Sequence, residues 1–113
     1  MKKLLLLLFS ILISFNSLLA AEITYGSYKN NPSKYDDYLR GLESGIGWYN
    51  AAPGIEQFYC QPGTLALGID TVKNIINGQV EKFNDDGWTL ADIDAAPIGA
   101  ILLMGMNSTF PCN

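Results

Sequence analysis

The sequence predicts a small, single-domain all-α fold closed by one disulfide, and three observations predict it. Apolar residues recur at steps of three and four in successive stretches, the spacing of one helix face. No stretch alternates apolar and polar residues for long enough to make a strand. Two cysteines, Cys60 and Cys112, complete the pattern, because an even count in an exported chain favours a disulfide over free thiols.

Export is read from the start of the 113-residue chain. Lys2 and Lys3 form a positive region and Leu4 to Ile13 an apolar run. Ser14, Asn16 and Ser17 come next, and then Ala20 and Ala21, small residues at which a signal peptidase would cut. Residues 1–20 are therefore expected to be a signal peptide, cut after Ala20 or Ala21, and 21–113 the domain. An uncleaved anchor is the weaker reading, since Ser10 and Ser14 leave the apolar stretch short of the roughly 20 residues a bilayer span needs. No lipobox cysteine is present, so the expected location is periplasmic or secreted.

Residues 21–31 read as an irregular lead-in containing Tyr25, Gly26 and Tyr28. Asn31 and Pro32 then mark a helix start, Asn as N-cap and Pro at the first helical position. Tyr35, Tyr38, Leu39, Leu42, Ile46 and Tyr49 form its apolar face, and Asp36 and Asp37 oppose the positive end of its dipole. Gly41, Gly45 and Gly47 weaken this helix by about 1 kcal/mol each relative to Ala. Gly41 and Gly45 share a face, which predicts close packing against a neighbouring backbone, with a dimer contact or partner groove as the alternative. Trp48 is expected to be structural in the same way. Pro53-Gly54 ends the region.

Phe58, Tyr59 and Cys60 precede a turn at Pro62-Gly63. Leu67, Ile69, Val72, Ile76, Val80 and Phe83 mark a second helix, with Asp70, Lys73, Asn77 and Glu81 on its other side. Asn84 to Gly87 reads as a polar connector. Thr89 and Asp92 stand in capping-box relation, and Trp88 is placed to pack on Ile93 as a hydrophobic staple. Pro97 splits the C-terminal region into a short turn over Leu90 to Ile93 and a helix from about Pro97 to Met106. Ile98, Ile101, Leu102, Leu103, Met104 and Met106 make that last helix apolar on most sides, hence central. Thr109-Phe110-Pro111-Cys112 ends it and delivers the second cysteine.

Composition narrows the function. Loss of Lys2 and Lys3 leaves five basic residues against eleven acidic ones, a net charge of −6. A nucleic-acid partner is not expected, for want of a basic footprint. The chain has no histidine, so neither a Ser-His-Asp nor a Cys-His arrangement can be assembled. Two widely separated cysteines also lack the spacing of a zinc site. Neither an enzyme nor a cofactor is expected. Paired carboxylates, Asp85 with Asp86 or Asp92 with Asp94, are the remaining catalytic option, but adjacent acids more often cap helices or meet solvent than face each other across a bond.

Several motifs together resemble a known family. Tyr38-Leu39-Arg40-Gly41, Gly45, Trp48 and Asn50, Tyr59-Cys60-Gln61-Pro62 with Leu65-Ala66-Leu67, and the closing Phe110-Pro111-Cys112 look like the Rap/Tai family of small periplasmic immunity proteins associated with type VI secretion. The resemblance runs from Tyr38 to Cys112, and its most specific parts are the C-x-P and the F-P-C. It implies a small helical domain, often a homodimer, that binds and blocks a peptidoglycan-cleaving amidase effector. Several members carry a further cysteine pair near the first helix, which this chain lacks.

The leading expectation is thus a periplasmic inhibitor that acts by occlusion. Partner contact is expected at Asp85, Asp86 and Trp88, where two carboxylates stand beside an aromatic on a connector. The alternative is a secreted domain that binds a small molecule or cell-wall fragment, with Trp48, Tyr49, Tyr25 and Tyr28 around one concave pocket. An inhibitor would instead project an aromatic or acidic group outward.

Overall fold

A computed structural model describes residues 22–63 and 65–113. The expected signal peptide, with its cleavage site after Ala20 or Ala21, lies outside the described residues. The all-α expectation holds. The described residues form five α-helices, α1 (Tyr25–Asn30), α2 (Asp36–Asn50), α3 (Ile69–Asp85), α4 (Leu90–Ala95) and α5 (Ile98–Thr109), with a 3-10 helix at Pro32–Tyr35. Among the described residues no strand forms, and one isolated bridge joins Thr24 to Pro97.

The lead-in is not irregular, which corrects the sequence reading. Thr24 is extended, and its side chain accepts from Ser27 N–H to start α1. Six residues are too few for a period to show in sequence, and tertiary contacts hold the helix in place. Tyr25 N–H donates to Ala96 O at 3.0 Å, and Ile98 N–H to Ile23 O at 2.9 Å. Lys29 Nζ reaches both carboxylate oxygens of Asp94 at 2.8 Å. Gly26 packs so tightly on α4 that a Cβ there would lie 3.0 Å from Asp94 O.

The expected start at Asn31 and Pro32 is present, but it opens the 3-10 helix, and Asn31 makes no side-chain cap. In α2 the buried face is narrower than its apolar periodicity. Leu39 is buried, Leu42 and Ile46 are half-buried, and Tyr38 and Tyr49 are exposed. Lys73 Nζ lies 2.7 Å from Asp36 Oδ1 and pins the start of α2 to α3.

The centre is the pair α3 and α5. Val72, Ile75, Ile76 and Phe83 meet Ile98, Ile101, Leu102 and Met106 in one buried cluster, joined by Leu39, Tyr59, Tyr28 and Ile93. A Cβ at Gly105 would stand 2.7 Å from Ile75 Cγ2 and 3.0 Å from Ile75 O. The close backbone approach expected at Gly41 and Gly45 therefore occurs here. Those two glycines are exposed, with nothing within 4 Å of a would-be Cβ.

Pro97 divides the C-terminal region as expected and sits at the N-cap of α5. That helix runs three residues past Met106, because Ser108 Oγ donates to the buried Gln79 Oε1 at 3.0 Å and extends the contact with α3. The described residues between α2 and α3 form no helix, and two devices hold the segment. Buried Asn50 accepts from Phe58 and Tyr59 N–H at 2.8 and 3.3 Å and donates to Tyr59 O at 2.9 Å. The Cys60–Cys112 disulfide is formed, with Cα atoms 4.9 Å apart, and Cys60 N–H donates to Phe110 O at 2.7 Å. No helix among the described residues is long and apolar enough to cross a membrane.

Candidate functional site

The expected partner site splits between a helix end and a turn. Asn84 and Asp85 form the last residues of α3 and Asp86 is its C-cap, so the polar connector is shorter than the sequence suggested. Gly87 takes φ +88°, the left-handed region. Its N–H donates to Asn84 O at 3.1 Å, and Trp88 N–H donates to Phe83 O at 3.0 Å. These two bonds are those of a Schellman motif, which turns the chain back over the helix it ends.

That motif brings Trp88 onto Phe83, where the rings stack with centroids 4.5 Å apart and planes at 24°. Its stacking partner therefore precedes it in the chain, on α3. The expected N-cap at Thr89 forms, but the Asp92 carboxylate takes the Thr89 hydroxyl and not the Thr89 N–H of a full capping box. Thr89 Oγ1 accepts from Asp92 N–H at 3.2 Å and donates to Asp92 Oδ2 at 2.8 Å. Phe-x-x-x-Gly-Trp was the signal available in sequence: a left-handed glycine between two residues able to make the accompanying apolar contact.

Trp88 remains 44% exposed and walls a cleft of about 640 Å³ between α4 and α5. Buried Phe83 and Ile101 form its floor, with Ala100 and Met104 on the α5 side. Asp92 is the one charged residue among those lining it. Asp85 and Asp86 stand exposed at the adjoining end of α3. They occupy a helix C-terminus, where negative charge opposes the dipole and costs rather than adds stability.

Trp48 overturns the structural expectation. It is 81% exposed near the end of α2, and its neighbour Tyr49 is 69% exposed. The helix that carries them is fixed at the next residue, Asn50, by the buried amide bonds to Phe58 and Tyr59. Trp48 borders only a shallow depression with Glu43, Ser44, Gly47 and Ala51. Tyr25 and Tyr28 line a different pocket, of about 350 Å³, with Lys29, Asp70 and Lys73. The four aromatics do not surround one cavity.

Burial pushes the Tyr28 hydroxyl above its ordinary pKa, with the Lys73 charge opposing and Tyr25 and Asp36 adding. Burial raises Tyr59 likewise, helped by Glu43. Lys73 is raised chiefly by its hydrogen bond to Asp36. Asp92 and Asp94 have separate partners: the Asp94 carboxylate meets Lys29, while that of Asp92 accepts from Thr89 Oγ1. No group of three or more Cys, Asp or Glu side chains converges among the described residues in a manner that would hold a metal ion.

Set against protein-family models, curated proteins and solved structures, the chain matches none.

Proposed function

We propose that this chain is an exported, non-catalytic binding protein that acts by occlusion, an immunity protein whose partner is a peptidoglycan amidase effector. The observation that carries the reading is the exposed Trp48–Tyr49 pair on a helix end fixed by Asn50. Ordering a side chain on binding costs free energy, and a rigid support lowers what must be ordered. Tryptophan and tyrosine are the residue types enriched at the energetic centres of protein interfaces. They project outward rather than lining one pocket, which favours insertion into a partner over capture of a small ligand by a shared aromatic cavity.

Asp85 and Asp86 serve as a second, electrostatic contact with Trp88 beside them. Two carboxylates kept where they oppose a helix dipole are better suited to a partner than to the fold. The homodimer implied by the family resemblance belongs to the same proposal, as does a periplasmic location.

The test uses the mature domain with candidate amidase effectors, reading inhibition of peptidoglycan cleavage and binding side by side. Trp48→Ala should weaken binding by roughly 30-fold or more, the scale of an interface hot spot of about 2 kcal/mol. Its melting temperature should stay within a few degrees of the parent. Asp85→Ala with Asp86→Ala should slow association, most clearly at low salt. A domain that neither binds nor inhibits any such effector sinks the reading. Full inhibition by a folded Trp48→Ala variant removes the tryptophan from the contact.

A further inference from the structure

The cleft between α4 and α5 has the dimensions of a ligand site in its own right. Its volume of about 640 Å³ lies within the roughly 300–1,000 Å³ of small-molecule sites. Its surface is apolar almost throughout, with alanines, Pro97 and Met104 around the Phe83 and Ile101 floor. Such a lining desolvates a hydrocarbon or aryl body and offers few partners to a polyol. A sugar or glycan fragment, which needs several hydrogen bonds, does not fit this chemistry.

The polar features are few and of one sign. Asp92 is the charged lining residue, and Thr89 Oγ1 donates to its Oδ2, leaving Oδ1 for another donor. Trp88 adds an indole held in place by its stacking on Phe83. Asp85 and Asp86 add negative potential at the same end. Lys29 pairs with Asp94, and Lys82 lines a separate depression with Gly105 and Ser108. Among the described residues no Lys or Arg lines the cleft.

We propose that this cleft binds a small hydrophobic amine, its apolar body against Ala100 and Met104 and its protonated nitrogen at the Asp92 carboxylate and the Trp88 ring. The carboxylate supplies the charge partner and the indole a cation–π contact. A carboxylate ligand of the same shape meets like charge and no donor, so the site discriminates by the sign of the head group.

Trp48→Phe leaves Trp88 as the single tryptophan of a chain that has two, so fluorescence then reports the cleft directly. In that background the protein is titrated with 4-phenylbutylamine, 4-phenylbutanol and 4-phenylbutyrate at pH 7. The amine should give a saturable change at a concentration about five- to tenfold lower than the alcohol, with the acid weaker still. Asp92→Asn keeps an oxygen acceptor for Thr89 and should bring the amine to the level of the alcohol. Ala100→Leu, at an exposed cleft position, should weaken all three, and Met104→Lys should reverse the preference between amine and acid. Thermal melts of each variant establish that it is folded. No saturable response to the amine, equal binding of amine and acid, or unaltered binding in both folded Ala100→Leu and Met104→Lys overturns the proposal. No effector is in the assay, so failure here leaves the occlusion reading standing, and failure of that reading leaves this result standing.

Discussion

Glycine has opposite meanings at two kinds of position in this chain. Gly41 and Gly45 sit on the exposed side of α2 with open space where a Cβ would go, so there the residue only adds freedom to the unfolded chain. Gly41→Ala and Gly45→Ala should each stabilise by about 0.5–1 kcal/mol. Gly105 is the reverse, because the atoms facing it include the Ile75 carbonyl, which cannot swing aside as a side-chain tip can. Gly105→Ala should destabilise by roughly 1–3 kcal/mol through overpacking. Urea midpoints of the three variants check both signs at once. A destabilised Gly41→Ala or a stabilised Gly105→Ala would contradict this packing. All three glycines lie within apolar helical patterns, and sequence spacing cannot say which one meets a neighbouring backbone. That depends on how α5 crosses α3. Trp48 departs from its sequence expectation for the same reason, since an aromatic beside an apolar face reads as core until the width of the buried stripe is known.

At the level of elements, α2, α3 and α5 are legible in sequence because each repeats its apolar residues over three or more turns. Pro97 and the Thr89–Asp92 relation are legible because their chemistry is local. The helix α1 is not, being six residues stabilised by bonds to Ala96 and Ile98 far along the chain. The placement of Trp88 does not emerge from periodicity either, although the left-handed Gly87 that governs it is a local signal. The segment between α2 and α3 depends on non-local ties of another sort. Its disulfide spans 52 residues, a loop for which chain entropy gives about 4 kcal/mol of stabilisation. Cys60→Ser with Cys112→Ser should therefore lower stability by roughly 2–5 kcal/mol. The loss should be accompanied by faster amide exchange at Phe58 to Cys60. A double variant with the parent's urea midpoint would show that Asn50 alone suffices to hold the segment.

At the scale of the fold, three groups among the described residues retain their protons longer than in the unfolded chain: Tyr28 and Tyr59 through burial, and Lys73 through its bond to Asp36. The unfolded chain therefore binds fewer protons than the native one once pH passes their ordinary values of 10.0 for tyrosine and 10.5 for lysine. Stability from these groups is complete below that range and is lost as pH rises through their folded values. Urea midpoints should be level from pH 7 to 9 with respect to these groups and fall by pH 11. Tyr28→Phe should reduce the fall, and an alkaline limb unchanged in that variant would exclude the Tyr28 hydroxyl as a contributor. The disulfide also sets what a single backbone cut can do. Residues 60–112 form a covalent ring that contains α3, α4 and α5, so a protease nick anywhere inside it leaves one connected molecule until the sulfurs are reduced. A nick between Ala51 and Gln57 severs the chain, and α1 and α2, with Trp48 and Tyr49 upon the latter, are then retained by non-covalent ties: Tyr28 and Leu39 in the core, the bonds of Ile23 and α1 to Ile98, Ala96 and Asp94, the Asn50 amide and the Lys73–Asp36 pair.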